Sequence, residues 1–286
     1  MDKLIIEKLN HITVGYVDWT KSVKLMIEEH YDNENYDNTI IFLNRLPSIE
    51  DNIYYTPYKK RIYYMLEHKT TDADYWNSIY CVWDNYYIDL VQNTNITEMW
   101  TMDYRPQFAI RCEQELGIPF KYVPMRYTSL IKPIENIYLT PKTVDFCLVG
   151  SMNTHRAEIL TEIGLSKNIT VKQIIGSDNE NLKFYQSELN NSKYIIDTLS
   201  NTSFITQNQV RIFELLCMGY TVCSEKCEIN IFPGLIYEWN TIEDLQEIVE
   251  NGEYLHPTEA YKEMTYTDEA YEKYVNNLIE QWNTLG

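Results

Sequence analysis

The stretch that decides the fold reads NTSFITQNQVRIFELLCMGYTVCSE and spans residues 201–225. Its middle carries Arg211 and Glu214, then the apolar run LLCM, and then Gly219. This order predicts a short helix that ends at the glycine and leads into a β-strand over residues 220–223. Arg211 and Glu214 stand three residues apart, so they share one face near the helix N-terminus, where backbone N–H groups and the helix dipole favour an anion.

Strand and helix patterns alternate on both sides of this stretch. Residues 39–43 are an apolar run of the kind that fills the centre of a parallel sheet, and residues 144–149 have the pattern of another buried strand. The segment 131–142 contains two prolines and polar residues, which is typical of a linker. The sequence therefore predicts an α/β fold with two Rossmann-like domains. Their predicted boundaries are 1–135 and 143–265, with a final helix in 266–286 that crosses back.

Composition narrows the classes of function. The 286 residues carry a formal net charge of -18, which argues against a broad, sequence-independent grip on nucleic acid, because such binding needs cationic contacts to phosphates. Six cysteines are scattered without a CxxC pair, so free thiols in a reducing, cytoplasmic compartment are expected. No apolar run approaches 18 residues and the first residues lack a signal-peptide pattern, so neither a membrane span nor secretion is expected.

A second group of polar residues follows the strand pattern of residues 144–149. Gly150 and Ser151 form a glycine-led turn, and His155 and Arg156 begin the next predicted helix. A glycine after a strand lets a phosphate approach the backbone, and the helix N-terminus then offers N–H groups. The two turns, at Gly150 and before Arg211, are expected at the carboxyl ends of parallel strands, where ligands bind in open α/β sheets. For His155, an exposed turn residue is an equally good interpretation.

The pattern Arg-x-Phe-Glu, apolar residues, glycine and strand resembles the C-terminal half of GT-B glycosyltransferases. It is most similar to the CgeB-like group and, more loosely, to phage DNA β-glucosyltransferase, whose corresponding stretch also reads Phe-Ile-Thr before Arg-x-aromatic-Glu. The resemblance implies a GT-B fold, with two Rossmann-like domains facing each other across a cleft. It implies that Arg211 contacts the diphosphate of a nucleotide-sugar and that Glu214 contacts the ribose. The alternative is an Arg–Glu pair that stabilises a surface helix. The full set of implied nucleotide-sugar contacts is Gly150, Ser151, His155, Arg156, Gly176, Thr206, Arg211 and Glu214.

A catalytic base is expected in the N-terminal half. Residues 60–68 read KRIYYMLEH and resemble the strand that delivers the base in the phage enzymes, which places Glu67 and His68 at the strand end. An inverting transfer needs a carboxylate or imidazole near the acceptor hydroxyl. Asp103 ends another apolar stretch and is the reserve candidate. For Glu67 and His68, the alternative is a polar strand end without a catalytic role. The second motif Glu of retaining families would fall on Val222, so the stereochemistry stays open.

The implied function is transfer of a sugar from a nucleotide diphosphate donor to a hydroxyl acceptor. A UDP-sugar is the expected donor, and a glycan, protein or small molecule the expected acceptor. No cofactor or metal is expected, because GT-B enzymes hold the diphosphate with cations and helix dipoles. Three alternatives remain: a glucosyltransferase for hydroxymethylated DNA, a GT-B-shaped nucleotide-binding protein without catalysis, and an epimerase that cleaves a nucleotide-sugar.

Overall fold

The computed structural model describes residues 4–44, 56–66, 93–104, 109–110, 112–150, 152–166, 168–174, 187–199 and 205–285. The chain divides into two units. Unit 1 consists of Met1–Ile131 and Tyr271–Gly286, and unit 2 consists of Lys132–Ala270. Each unit is built on a sheet of mainly parallel strands with helices, which confirms the predicted α/β class. No helix among these described residues is long and apolar enough to span a lipid bilayer.

Unit 1 contains a six-stranded sheet whose strands follow one another in chain order. They are β1 (Ile5–Lys8), β2 (Ile12–Tyr16), β3 (Thr39–Leu43), β4 (Lys60–Met65), β5 (Glu98–Thr101) and β6 (Phe120–Tyr122). The first pair is antiparallel and the other pairs are parallel. Helix α1 (Lys21–Tyr31) follows β2. The five residues of β3 are all buried, as expected for a strand covered on both faces.

Unit 2 contains a five-stranded sheet in which every pairing is parallel. Its strands are β7 (Val144–Val149), β8 (Val171–Ile174), β9 (Ser192–Asp197), β10 (Val222–Glu225) and β11 (Tyr237–Trp239), in the spatial order β11-β10-β9-β7-β8. Its helices are α2 (Thr154–Leu165), α3 (Gln209–Met218), α4 (Ile242–Asn251) and α5 (Pro257–Thr265). The apolar faces of α2 and α4 pack with β7 and β9 in one core.

The last helix, α6 (Asp268–Leu285), packs mainly within unit 1. Its buried residues Tyr274, Leu278 and Trp282 recur every fourth position, which places them on one face. The hydroxyl of Tyr271 donates to the Pro124 carbonyl oxygen at 2.6 Å. This bond attaches α6 to the segment that follows β6.

The deciding stretch forms the helix that its pattern predicts, and α3 ends at Gly219. That glycine has φ of +93°, and its N–H donates to the carbonyl of Leu216, while the N–H of Tyr220 donates to the carbonyl of Leu215. This pair of bonds is the Schellman ending of a helix, which favours glycine because of the left-handed φ. Tyr220 is thus part of the helix ending. Strand β10 therefore begins at Val222, and the predicted strand over residues 220–223 was placed two residues too early.

A buried carboxylate connects the beginnings of three strands in unit 2. Asp145 on β7 accepts hydrogen bonds from the backbone N–H and the hydroxyl of Thr170 at 2.9 and 2.7 Å, and from Lys193 Nζ at 2.7 Å. Burial alone would raise the pKa of Asp145, but the bonds from Lys193 and Thr170 outweigh it and hold the pKa below its ordinary value. The charged form is therefore stabilised in the folded state.

Replacing Asp145 with asparagine should lower the free energy of unfolding at pH 7 by about 2 kcal/mol, the scale of hydrogen bonds to a charged group. A lowered folded-state pKa contributes stability above the unfolded value of about 3.9, and that contribution is lost as the pH falls through the folded pKa. The difference in the free energy of unfolding between the wild type and Asp145→Asn should therefore become smaller below about pH 4. Urea denaturation from pH 7 to pH 3 measures this, with Glu280→Gln at an exposed position of α6 as control. A deficit that does not change with pH would contradict it.

Candidate anion-binding site

The strand order of unit 2 reverses beside β7. The chain passes from β7 to β8 on one side and then crosses back to β9 on the other side. In open parallel sheets, ligands bind beyond the carboxyl ends of the strands at such a reversal. Gly150 directly follows β7, Thr198 directly follows β9, and Glu225 ends β10. These three positions share the carboxyl edge of the sheet.

Two helices start at this edge with the same spacing of asparagine and arginine. Asn153 is the N-cap of α2 and accepts from the N–H of Arg156 at 2.9 Å. Asn208 is the N-cap of α3 and accepts from the N–H of Arg211 at 3.2 Å. Both arginines therefore stand three residues after a capping asparagine, in an Asn-x-x-Arg pattern. Each cap fixes the first turn that carries its arginine.

The side chain of Arg156 is almost wholly buried, with 4% of the residue exposed. Its Nε donates to the hydroxyl of Thr198 at 3.0 Å, and its Nη2 donates to the carbonyl oxygen of Thr198 at 2.9 Å. The two bonds hold the guanidinium plane against the turn after β9. Arg156 is therefore ordered before any ligand arrives, which lowers the entropic cost of binding.

Arg211 is held by a buried carboxylate. Its Nη1 lies 2.8 Å from Oδ1 of Asp197, and Asp197 is fully buried at the end of β9. The Ser224 hydroxyl lies 3.4 Å from the other oxygen of this carboxylate. The ion pair uses one edge of the guanidinium group and sets the direction of its other nitrogen atoms.

The two guanidinium groups meet at Gly150. A Cβ atom on this residue would lie 3.1 Å from Nη2 of Arg211 and 3.2 Å from Nη1 of Arg156, and the φ of +132° also favours glycine. Burial, and then the positive charge of Arg211, lower the pKa of Arg156, whereas Asp197 and Glu225 act in the opposite direction. Two crowded cations at a helix N-terminus repel each other, and an anion placed between them would relieve this repulsion.

His155 forms a contact that its sequence position does not reveal. Its Nε2 lies 2.8 Å from Oε1 of Glu225, and the other oxygen of Glu225 accepts from the N–H of Leu199 at 2.9 Å. Glu225 thus links the start of α2 to the chain after β9. The pair places an imidazole at the same edge of the sheet as the two arginines.

The remaining predicted site residues are spread over the chain. Thr206 is fully buried and pairs with Ile229 in an isolated parallel bridge, and Glu214 is half-buried on α3, one turn after Arg211. Asp103 is fully buried in unit 1, where its N–H donates to the hydroxyl of Thr101 at 3.1 Å. Four predicted residues lie outside the described residues: Glu67, His68, Ser151 and Gly176. In the part of the chain that is described, no group of three His, Cys, Asp or Glu side chains is arranged to hold a metal ion.

Three residues of the site were not among the predicted ones. Asp197, Thr198 and Glu225 supply the oxygen atoms that orient Arg211, Arg156 and His155. Asp197 and Glu225 each end a buried strand with a carboxylate. This feature of the sequence could have identified them as site residues. The structure therefore brings Gly150, His155, Arg156 and Arg211 to one edge and adds their supporting partners.

Neither a protein-family model nor a curated protein matches the chain. Several solved structures do match, and among them is one described as a crystal structure of a GtfA/B complex, which matches over 86% of this chain with 10% identity and a TM-score of 0.35. The match covers 56% of the chain in that structure, so this chain spans about half of that neighbour's length. The function proposed below therefore rests on the geometry of the site in unit 2.

Proposed function

We propose that unit 2 binds the diphosphate of a nucleotide-sugar between Arg156 and Arg211, and that the protein transfers the sugar to a hydroxyl acceptor. The observation that carries this proposal is the convergence of the two guanidinium groups beside Gly150. The position supports it as well, because the carboxyl edge at a strand reversal is where open parallel sheets bind nucleotides.

A diphosphate matches this arrangement better than a single carboxylate does. Each guanidinium group presents planar N–H donors suited to phosphate oxygens, and two such groups side by side suit two adjacent phosphates. Gly150 lacks a side chain where the backbone must come close to a ligand. The capped N-terminus of α2 adds N–H groups and the positive end of the helix dipole.

The other parts of the proposal come from the sequence. Glu214 would contact the ribose, and Ser151, His155 and Gly176 would complete the nucleotide-sugar contacts, whereas the fully buried Thr206 would support them from behind. The donor is a UDP-sugar, no metal is needed because the arginines neutralise the diphosphate, and the two units form the paired Rossmann-like domains of a GT-B enzyme. The acceptor is a glycan, a protein or a small molecule, since a net charge of -18 repels DNA.

Calorimetric titration with UDP, UMP and uridine tests the diphosphate site directly. UDP is expected to bind at least about tenfold more tightly than uridine, because each charge-assisted hydrogen bond contributes about 1.5–3 kcal/mol. UDP should still bind more tightly than uridine in the presence of EDTA, because the proposed site needs no metal. Equal affinities for UDP and uridine would contradict the proposal, and binding of UDP without sugar transfer would leave a nucleotide-binding protein without catalysis.

Gly150→Ala supplies a matched variant for this titration. The new methyl group would lie too close to both guanidinium groups, and the alanine backbone would have to keep an unfavourable positive φ. UDP affinity should therefore fall, while uridine affinity stays unchanged. Gly164→Ala on α2 is the control, because a Cβ there meets nothing within 4 Å. If the two variants bind UDP equally well, the diphosphate does not lie beside Gly150.

A further inference from the structure

His155 and Arg156 are neighbours on α2, and both are held at the carboxyl edge of the unit 2 sheet. Arg156 donates twice to Thr198, which directly follows β9. Nε2 of His155 lies 2.8 and 3.1 Å from the two carboxylate oxygens of Glu225, which ends β10. The same carboxylate accepts from the N–H of Leu199 at 2.9 Å. The imidazole and the Arg156 guanidinium group are therefore both positioned by the turn after β9 and by Glu225.

The bonds to Glu225 use one of the two ring nitrogens of His155. In the part of the chain that the structure describes, Nδ1 of this ring has no hydrogen-bond partner. The side chain keeps 23% of its surface exposed, so part of the ring can contact a ligand. A neutral imidazole carries a proton on one nitrogen, whereas a charged imidazole donates from both. Protonation would therefore let His155 donate to Glu225 and to a ligand at the same time.

The charges at this edge balance without the imidazole. Two guanidinium groups, of Arg156 and Arg211, stand with two carboxylates, of Asp197 and Glu225. Burial and then Arg211 lower the pKa of Arg156, whereas Asp197 and Glu225 act in the opposite direction, so both carboxylates influence the arginines. A diphosphate would add further negative charge. A proton on His155 would compensate for part of that charge.

The charged groups around the start of α2 come from four elements. They are Glu225 on β10, Arg156 and Glu158 on α2, Asp197 on β9 and Arg211 on α3. Glu225 bonds to the ring, and its carboxylate favours the charged imidazole. The arginines oppose that charge in the free protein, and a bound diphosphate would neutralise them. Binding of a diphosphate therefore favours the protonated form of His155.

We infer that Glu225 positions His155 for the diphosphate, and that the imidazole takes up a proton when the diphosphate binds. Glu225 is a positioning residue, because it acts on the ligand through His155. The inference rests on the proposed function and adds to it a phosphate contact that depends on pH. Histidine side chains change charge between about pH 5 and pH 8, so this contact should strengthen as the pH falls through that range.

The test compares the UDP affinity of the wild type and His155→Gln at pH 6, 7 and 8. UDP itself changes charge near pH 6, but the ratio of the two affinities cancels that change. The ratio of wild-type to variant affinity should increase about tenfold from pH 8 to pH 6, which corresponds to one pKa unit. A constant ratio would overturn the inference and leave the proposed function intact. Absence of UDP binding at every pH would overturn both.

Glu225→Gln tests whether the carboxylate acts on the imidazole or only on the fold. The amide oxygen would keep the bond from the Leu199 N–H, so the amide nitrogen would face Nε2 of His155 and donate to the neutral ring. This reversed bond should reduce the pH dependence to that of His155→Gln. Glu228→Gln removes the same charge at an exposed position three residues later and should keep the wild-type profile. A wild-type profile in Glu225→Gln would contradict the inference.

A measurement on the wild type alone keeps the test valid if the variants fail to fold. At pH 7.5 the terminal phosphate of UDP is already ionised, since its second pKa is about 6, so a proton taken up on binding goes to the protein. Calorimetry in HEPES and in Tris, whose heats of ionisation differ, measures this uptake. Net proton uptake is expected, and UDP binding without it overturns the inference.

Discussion

Loss of either guanidinium group from the candidate site is expected to weaken UDP binding about 10–100-fold and to leave uridine binding unchanged. Each arginine would contribute a charge-assisted, planar contact to the phosphates, and removing one such contact costs about 1.5–3 kcal/mol. The variants are Arg156→Gln and Arg211→Gln, compared by calorimetry with Lys262→Gln, a partly exposed cation on α5. Equal UDP affinity in the wild type and both arginine variants would remove the basis of the site.

A second effect of Arg211→Gln must be separated from binding. Asp197 is fully buried and paired with Arg211, so the single variant leaves a buried carboxylate without its counter-charge, at a cost of about 3–5 kcal/mol of stability. The double variant Arg211→Gln with Asp197→Asn removes both charges. It should recover most of the lost stability without recovering UDP binding. Recovery of both together would mean that Arg211 acts only through the fold.

The parts of the fold that the sequence predicted are those that depend on neighbouring residues. The apolar run in 39–43 forms β3, and the helix pattern before Gly219 forms α3. A cap or a left-handed glycine is a local device, so it can be recognised in the sequence. Thr241 is another such device, because its side chain caps the first turn of α4.

The elements that the sequence did not reveal are short or weakly marked. Strand β11 has three residues and owes its place to pairing with β10, which no local pattern records. Helix α5 starts at Pro257 after His256, which makes no side-chain cap bond. Its buried residues pack against tertiary neighbours, and such packing overrides a weak local signal.

The sequence predicted the two arginines of the candidate site, but it did not predict the side chains that hold them in place. Arg156 and Arg211 follow glycine-led or polar turns after strands, and the parallel topology brings these turns together. Their partners lie far away in sequence, because Arg211 and Asp197 are 14 residues apart and Arg156 and Thr198 are 42 apart. The Asn-x-x-Arg pattern at residues 153–156 and 208–211 is a local signal that marks both helix starts.

If the proposed transfer proceeds with inversion, Glu67→Gln or His68→Ala should lower kcat by about 10²–10⁴, because a base must accept the proton of the acceptor hydroxyl as it attacks the sugar. Donor affinity should stay nearly unchanged, since the proposed UDP site consists of the arginines of unit 2. The measurement is transfer from the UDP-sugar that shows turnover, with both variants compared at saturating donor. Loss of UDP affinity in parallel with kcat would place these residues at the donor and not at the base.

Asp103→Asn is the third variant in this comparison. Unlike a typical general base, Asp103 has no exposed surface. Asp103 is fully buried, and the Thr101 hydroxyl both accepts from its N–H and donates to its carbonyl oxygen, so it closes the turn after β5. A carboxylate without contact to solvent cannot meet an acceptor hydroxyl in this conformation. Asp103→Asn should therefore lower the unfolding temperature more than kcat. A large fall in kcat with unchanged stability would instead make Asp103 the base, and normal turnover in all three variants would mean that the base lies elsewhere or that the reaction proceeds with retention.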